Sequence, residues 1–475
     1  MNPTETVSPV VGGAISEQIA TFAQRFRLDH VPPGVRERAK HLMLDACGIA
    51  LASHGYPFAG PALAACAELN EGGSSPVIGS ALRLDTRNAI LANGILIHGL
   101  DFDDTHPRGV LHATTSVFPA VLAMAARQDR TGADLLAAYV LGVEIATRLG
   151  AVALGGFHQV GFHPTGMIGT FGCAVAAGWL LGLDQAQQVD VQGLALSMAS
   201  GSLEFLNDGA WNKRMHPGWA GAAGVTAAIM GKHRYRGTRL AYEGRFGLYA
   251  SHLAAVGGYD LALATAGLGE HWEVNNISVK PLPACHFTHA AIDAAIRLHQ
   301  QGVRPQDIAR IDVMVPQEVI KTVCEPQAQK RRPANSYEAQ FSIPYLVGNA
   351  LLKGRLALED IEDQALSDPQ TLALAALTHY QADPSSAFPK YYDGEVVVHL
   401  HNGRTERARE AINRGSPDRP LSNQDIVEKF RGNAARSCDA RSYERIAQAL
   451  LDLETLSARE LADRLGQPVR HYTGA

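Results

Sequence analysis

Residues 165–183 read TGMIGTFGCAVAAGWLLGL, the most apolar run in a chain of 475 residues. The run follows Pro164 directly, and proline suits the first turn of a helix. Its length borders on what a bilayer requires, but Thr165, Thr170 and many Gly and Ala interrupt it, and no other segment resembles it. A buried central helix is expected. Outward from it, residues 15–28, 35–52, 86–100, 133–149 and 220–231 show helical apolar spacing or continuous burial. Asp85 is placed to cap one of these helices, and Pro33 stands near the start of another. Aromatic content is only 7%, so the helices are expected to pack closely through Ala and Gly.

The pattern changes near Trp272. Residues 273–280, 308–315 and 395–401 carry β-branched side chains in short runs, and Asn402-Gly403 after the last is a turn signal. Helical segments are expected at 288–299 and 337–352 between them, and again from 423 to 465. The expected fold is mainly α with an α+β insertion. Both chain ends, 1–272 and 406–475, form a large all-helical domain, and 273–405 forms a smaller α+β domain.

The charge balance is Lys+Arg 42 against Asp+Glu 47, a net −5. That excludes a dedicated nucleic-acid binder, which needs a basic excess. Hydrophobic content of 46% with 19% charged residues describes a globular enzyme and argues against disorder. Cys47, Cys66, Cys173, Cys285, Cys324 and Cys438 form no CxxC and have no zinc or cluster spacing. Reduced thiols in a cytoplasmic chain are the plain reading. The first eighteen residues lack a basic region followed by an apolar one, so no signal peptide and no membrane partner are expected.

A histidine repeatedly sits before a helix of small residues. His112 precedes ATTSVFPA, His163 precedes Pro164, and His216 precedes Pro217 with Lys213 and Arg214 upstream. Lys280 leads through Cys285 to His286 and His289 at the mouth of another helix. A helix start offers free N–H groups and partial positive charge. Several such starts converging with Lys213, Arg214 and Lys280 would hold a polycarboxylate, and the histidines could carry protons near neutral pH. Taken singly, each His could merely pack or cap a helix end. HGLDFDDTH, residues 98–106, adds Asp101, Asp104 and Thr105 at spacings that can share one helical face, with Asp103 between. Burial of such close acids would raise a pKa and suit a proton donor; chelation of Mg²⁺, ion pairing or a solvated cluster are the alternatives. His286-x-x-His289 has metal spacing but no third ligand nearby, and the KRRP stretch at 330–333 reads as a solvated basic loop, with a substrate or subunit contact as the alternative.

Together HGLDFDDTH, GFHPTGMIGTFGCAVAA, LNDGAWNKRMHPGWAGAAGVTAA, KPLPACHFTHAAIDAA and EAQFSIPYLVGNAL resemble the MmgE/PrpD family. That family includes 2-methylcitrate dehydratases, cis-aconitate decarboxylases and iminodisuccinate epimerases. The resemblance implies a helical domain with a smaller α+β lid, a homodimer, an active site between domain and lid, and neither metal nor cofactor. It implies catalytic roles for Asp101, Thr105, His112, His163, Lys213 and Lys280. Arg214, His216, Cys285, His286 and His289 are expected to bind substrate. In cis-aconitate decarboxylase a histidine stands five residues after the last of these lysines; here Cys285 holds that place.

The expected activity is dehydration of a 2-methylcitrate-like hydroxy acid. One group removes a proton α to a carboxylate, cations hold the resulting charge, and His112 or His163 protonates the leaving hydroxyl. Decarboxylation or epimerisation could use the same site. A non-catalytic carboxylate-binding scaffold is the alternative of another class. DFDD also matches the proton-donor motif of class II terpene cyclases, but those line their cavities with aromatics, and the aromatic content here is only 7%.

Overall fold

The computed structural model describes residues 13–468; most of the stretch searched for a leader, residues 1–12, lies outside them. The chain is mainly helical with a small sheet. Helix Pro164–Leu180 is buried along nearly its whole length and packs among Ala113–Arg127, Gly132–Val152 and Asn212–Lys232. Small residues make this possible. A Cβ on Gly172 would stand 2.5 Å from the Gly142 carbonyl oxygen, and one on Gly224 would stand 2.6 Å from that of Thr170. Backbones touch directly there, which fills a core poor in aromatic rings. Among the described residues, Gly132–Val152 is the one helix long and apolar enough to cross a membrane, and its apolar stretch is buried in the fold.

Asp85 caps helix Thr86–His98, accepting from the backbone N–H groups of Arg87 and Asn88. Pro33 is the first residue of helix Pro33–Ser53. The tail returns to the first part of the chain: helices Asn423–Ala434 and Ala440–Leu451 pack on Pro33–Ser53, and Ala458–Leu465 packs on Ala113–Arg127.

The sheet has four strands in the order Thr378–Ala382, Ile308–Val315, Gly394–Leu400, Thr405–Glu410. The first pair is parallel and the others antiparallel. Ile311, Val313, Val396 and Val398 are buried, and helix His289–Gln300 packs against the last two strands. Asn402-Gly403 makes the hairpin turn with Gly403 at φ +86°, a left-handed value that glycine takes without strain. The hairpin carries the sheet past 405, the expected end of the insertion.

Several elements differ from expectation. Residues 273–280 are not a strand. Glu273–Asn276 is a 3₁₀ turn, and Ser278 then makes a single bridge to Thr105. The turn forms because Glu144 accepts from the Val274 N–H and Asn276 donates back to Glu273. Segment 337–352 is two helices, Ser336–Gln340 and Ile343–Lys353, because Ser342 caps the second and Pro344 cannot continue the first. The helix expected at 220–231 starts earlier, at Asn212, with Pro217 inside it.

One close approach positions the site. A Cβ on Gly94 would lie 2.4 Å from the Gly218 Cα, so helices Thr86–His98 and Asn212–Lys232 meet glycine to glycine. The first helix ends at the acidic loop, and the second carries Lys213, Arg214 and His216. Gly94→Val is expected to destabilise the fold by about 1–3 kcal/mol through overpacking. The check is the denaturant midpoint, which an unstrained contact would leave unchanged.

Candidate active site

Helix Thr86–His98 stops where Asp101 adopts φ +48° and turns the chain; aspartate tolerates this left-handed conformation better than most residues. Residues 99–112 are therefore a loop. The shared helical face expected for Asp101, Asp104 and Thr105 does not form, and their side chains have different partners. The loop is fastened by paired backbone hydrogen bonds of 2.8 Å between Thr105 and Ser278, and this brings Lys280 to Asp101.

Asp101 is the hub. Lys213 Nζ and Lys280 Nζ both donate to its Oδ1 at 2.8 Å, and Lys280 also donates to its carbonyl oxygen at 2.7 Å. Burial alone would raise the Asp101 carboxyl, but the two ammoniums outweigh it and hold the group well below the usual carboxylate range. Burial would likewise lower Lys280, and Asp101 reverses this and raises it. Asp101 and Lys280 therefore both stay charged near neutral pH. Asp101 Oδ2 is buried with no hydrogen-bond partner among the described residues.

Asp103 Oδ2 accepts from His98 Nδ1 at 2.8 Å and lies 3.4 Å from His112 Nδ1. Burial pushes the Asp103 carboxyl up, and the two imidazoles pull it lower still, below its ordinary value. His112 Nδ1 donates to the Asp104 carbonyl oxygen at 2.6 Å, so the neutral ring leaves Nε2 as a bare lone pair. Thr105 Oγ1 lies 3.4 Å from the same Nδ1. Asp104 faces the other way. It accepts from the Thr114 side chain and, at 3.4 Å, from the Thr114 N–H at the start of helix Ala113–Arg127. That N–H is not open to a ligand. Burial pushes the Asp104 carboxyl up to about 7.

His163 precedes helix Pro164–Leu180 as expected. His216 does not precede its helix; it lies in the second turn of Asn212–Lys232, because Lys213 and Arg214 already belong to the first. The two rings meet Nδ1 to Nδ1 at 3.1 Å. The ring centroids of His98, His112 and His163 lie 4.8–5.9 Å apart. Arg214 donates to the Gly99 carbonyl oxygen at 2.8 Å and lies against the rings of Phe58 and Tyr337. Its Nη1 and the Tyr337 hydroxyl are buried without partners among the described residues.

The structure thus joins Asp101, Thr105, His112, His163, Lys213, Lys280, Arg214 and His216 in one cluster. Cys285, His286 and His289 make no hydrogen bond to it. The Cys285 N–H donates to the Gln340 carbonyl oxygen, His286 Nε2 accepts from Asn413, and His289 Nε2 donates to the Ala284 carbonyl oxygen. The 330–333 stretch is not a free basic loop, since Lys330 and Arg331 donate to backbone carbonyls of Thr322, Phe341 and Thr378.

The sequence reading missed three contributors. His98 opens the acidic motif, and its five-residue separation from Asp103 was the available signal. Tyr337 lies in a quoted helix with nothing to single it out. Lys429, on the tail helix, has a largely covered side chain; it donates to Asp45 and, at 2.8 Å, to the Phe102 carbonyl oxygen between Asp101 and Asp103. A lone lysine on an amphipathic helix carries no such signal.

Ring nitrogens of His98, His112 and His163 lie within 4.8 Å of one another, as do ligand atoms of Asp101, Asp103 and His112. Either group is close enough to surround an ion. Lys213 and Lys280 stand beside both and oppose a dication, which makes proton carriers the better reading of these imidazoles.

Residues 17–256 match the MmgE/PrpD N-terminal domain and 282–455 the MmgE/PrpD C-terminal domain. The chain belongs to the MmgE/PrpD family. It is 28% identical over 465 residues to cis-aconitate decarboxylase of Homo sapiens, covering 93% of this chain and 92% of the relative. It is 26% identical over 479 residues to cis-aconitate decarboxylase of Aspergillus terreus, covering 96% of each. It is 27% identical over 476 residues to 2-methylcitrate dehydratase of Cupriavidus necator, covering 90% of this chain and 92% of the relative.

Burial lowers six histidines: His112, His158, His163, His216, His286 and His289. Each charges near 6.5 when unfolded and only well below that when folded, as at about 4 for His158 and His216. Their contribution is complete above pH 6.5 and is lost as the pH falls toward 4. Asp45, Asp104 and Glu144, all raised by burial, act with the opposite sign, but they are fewer. Stability measured by denaturant titration from pH 8 to 4.5 is expected to fall toward acid, with net proton uptake on unfolding. A flat profile would contradict this.

Proposed function

We propose that this protein is a metal-independent lyase acting on a small di- or tricarboxylate, and that its reaction is dehydration of a 2-methylcitrate-like hydroxy acid. The observation that carries the reading is the Asp101 carboxylate held by two buried ammoniums beside two imidazoles with open Nε2 atoms. Lys213, Lys280 and Arg214 outnumber Asp101 and Asp103 by one, so the cluster has a cationic excess. Arg214 Nη1 and the Tyr337 hydroxyl, both unpaired, suit a second carboxylate. Desolvated cations of this kind stabilise the aci-carboxylate that forms when an α-proton leaves.

The tautomer of His112 fits it to remove that proton. Its Nε2 is a lone pair, and Asp103 stands 3.4 Å from Nδ1 to steady the imidazolium that results. His163, whose ring centroid lies 5.9 Å from that of His112, protonates the hydroxyl as it leaves. Asp101 and Thr105 position the lysines and His112. All six cysteines are free thiols, which supports a reducing, cytoplasmic setting.

Decarboxylation is the second reading, favoured by the relatives named cis-aconitate decarboxylase that match over more than nine-tenths of the chain. Against it stands Cys285 in place of the decarboxylase histidine. Burial pushes this thiol up to about 11, so it stays neutral and does not substitute for an imidazole.

The test is incubation with 2-methylcitrate, citrate, cis-aconitate and iminodisuccinate, following ultraviolet absorbance of the unsaturated product, CO₂ release and chirality. Dehydration of a hydroxy acid is expected. CO₂ release or racemisation instead would replace this reading with decarboxylation or epimerisation, and binding without turnover would indicate a scaffold. Lys213→Ala and His163→Ala are each expected to lose on the order of 10²-fold or more in kcat/KM. Near-wild-type turnover in both would remove them from the mechanism. EDTA is expected to leave activity intact; loss restored by one divalent metal would overturn metal independence.

A further inference from the structure

His163 and His216 face each other through Nδ1 atoms 3.1 Å apart. Two bare nitrogens would repel at that distance, and two N–H groups would collide. One Nδ1 must carry a proton and the other accept it. The consequence reaches the far side of each ring. In a neutral pair, the ring that donates at Nδ1 has a lone pair at Nε2, and the ring that accepts at Nδ1 has Nε2–H. Neither Nε2 has a hydrogen-bond partner among the described residues, and neither is sealed in as His98 Nε2 is.

The surroundings keep the pair neutral. His163 is 2% exposed, and Lys213, His98, His112 and His158 face it. His98 and Lys213 face His216. Both rings meet Phe205 in T-shaped contacts, with ring centroids 6.4 and 5.9 Å apart. No carboxylate bonds either ring among the described residues. Burial, with these cationic and titratable neighbours, holds His163 well below 6.5. A neutral histidine that gives up its Nε2 proton becomes an imidazolate unless a proton reaches Nδ1 as the first one leaves. His216 is the group in place to supply it.

We propose that His163 and His216 work as one proton relay, with a single proton held between their Nδ1 atoms, so that a proton leaving His163 Nε2 is replaced through His216. This rests on the reading of His163 as the acid. As the substrate C–O bond breaks and its electron pair goes to oxygen, His163 Nε2–H protonates that oxygen, which leaves as water. The His216 Nδ1 proton moves to His163 Nδ1, and a solvent proton arrives at His216 Nε2. The pair ends neutral with its hydrogen bond reversed. Proton uptake at His163 Nε2, return of the shared proton to His216 Nδ1 and loss of the His216 Nε2 proton to solvent reset it before the next turnover. The proton taken from carbon by His112 Nε2 returns to solvent and restores the balance. A decarboxylating enzyme would use the same relay to protonate the carbanion left by CO₂. His216 is thus assigned a proton-passing role rather than substrate binding.

His216→Asn separates relay from support, because its amide keeps a hydrogen-bonding group at the place of Nδ1 but passes no proton on. His216→Asn is expected to fold with the wild-type melting temperature and to lose on the order of 10²-fold in kcat with KM little changed. Rates in mixtures of H₂O and D₂O should show more than one proton in flight for the wild type and one for the variant. Wild-type kcat in His216→Asn, or the same isotope dependence in both proteins, would overturn the relay. A third measurement needs no turnover. ¹⁵N-histidine NMR of the resting protein, assigned with His163→Gln and His216→Gln, should show one protonated and one bare Nδ1 joined by coupling across the hydrogen bond. Finding both bare or both protonated would overturn the shared proton. If none of the acids is turned over, the functional reading fails while this spectrum still decides the pair.

Discussion

The site depends on one carboxylate oxygen that accepts from two buried ammoniums. Asp101 Oδ1 holds Lys213 Nζ and Lys280 Nζ at 2.8 Å each. Neither lysine could remain charged there unaided, because an uncompensated buried cation costs several kcal/mol. Neither could the carboxylate. Each group is stabilised by the others, and the three together keep one positive charge among buried side chains. That excess gives the pocket its preference for anions. Burial, aided by the nearby lysines, lowers His112 and His163, which rest neutral and ready to exchange protons.

Three distant parts of the chain must meet to make this arrangement. The Gly94–Gly218 contact sets the helix bearing Lys213 against the helix that ends in the acidic loop. The Thr105–Ser278 bridge brings in Lys280. Lys429, from the tail helix, fixes the Phe102 carbonyl between the two acidic residues, with Asp45 neutralising its charge. The tail is therefore part of what shapes the loop. Close glycine packing elsewhere in the core leaves little room for these elements to drift.

Much of this was legible in the sequence, and the failures have physical reasons. The apolar run at 165–183 gave a central helix because periodicity and composition agree there. His112, His163, Lys213 and Lys280 were identified from repeated chemistry near helix starts and from family resemblance, and they do converge. The acidic loop was misread because three- and four-residue spacing resembles a helical face. Gly99 and the left-handed Asp101 end the helix first, and spacing carries no record of backbone sign. His216 was misplaced because Pro after His usually marks a first turn, whereas Pro217 lies inside a helix that began at Asn212. Lys429 and Tyr337 were invisible because their roles come from tertiary contacts alone. Residues 273–280 carry β-branched side chains, yet among the described residues they form a single bridge, Ser278 to Thr105, and propensity without a partner strand makes no strand.

The central claim is that two buried ammoniums sharing one aspartate grip a multiply charged acid. It is tested most directly by calorimetric titration with tricarballylate, a tricarboxylate with neither hydroxyl nor double bond to react. The wild type should bind it, and Lys213→Met and Lys280→Met should each weaken binding at least about tenfold, the equivalent of one lost desolvated charge contact. Unchanged affinity in both folded variants would place the anion elsewhere and contradict the account.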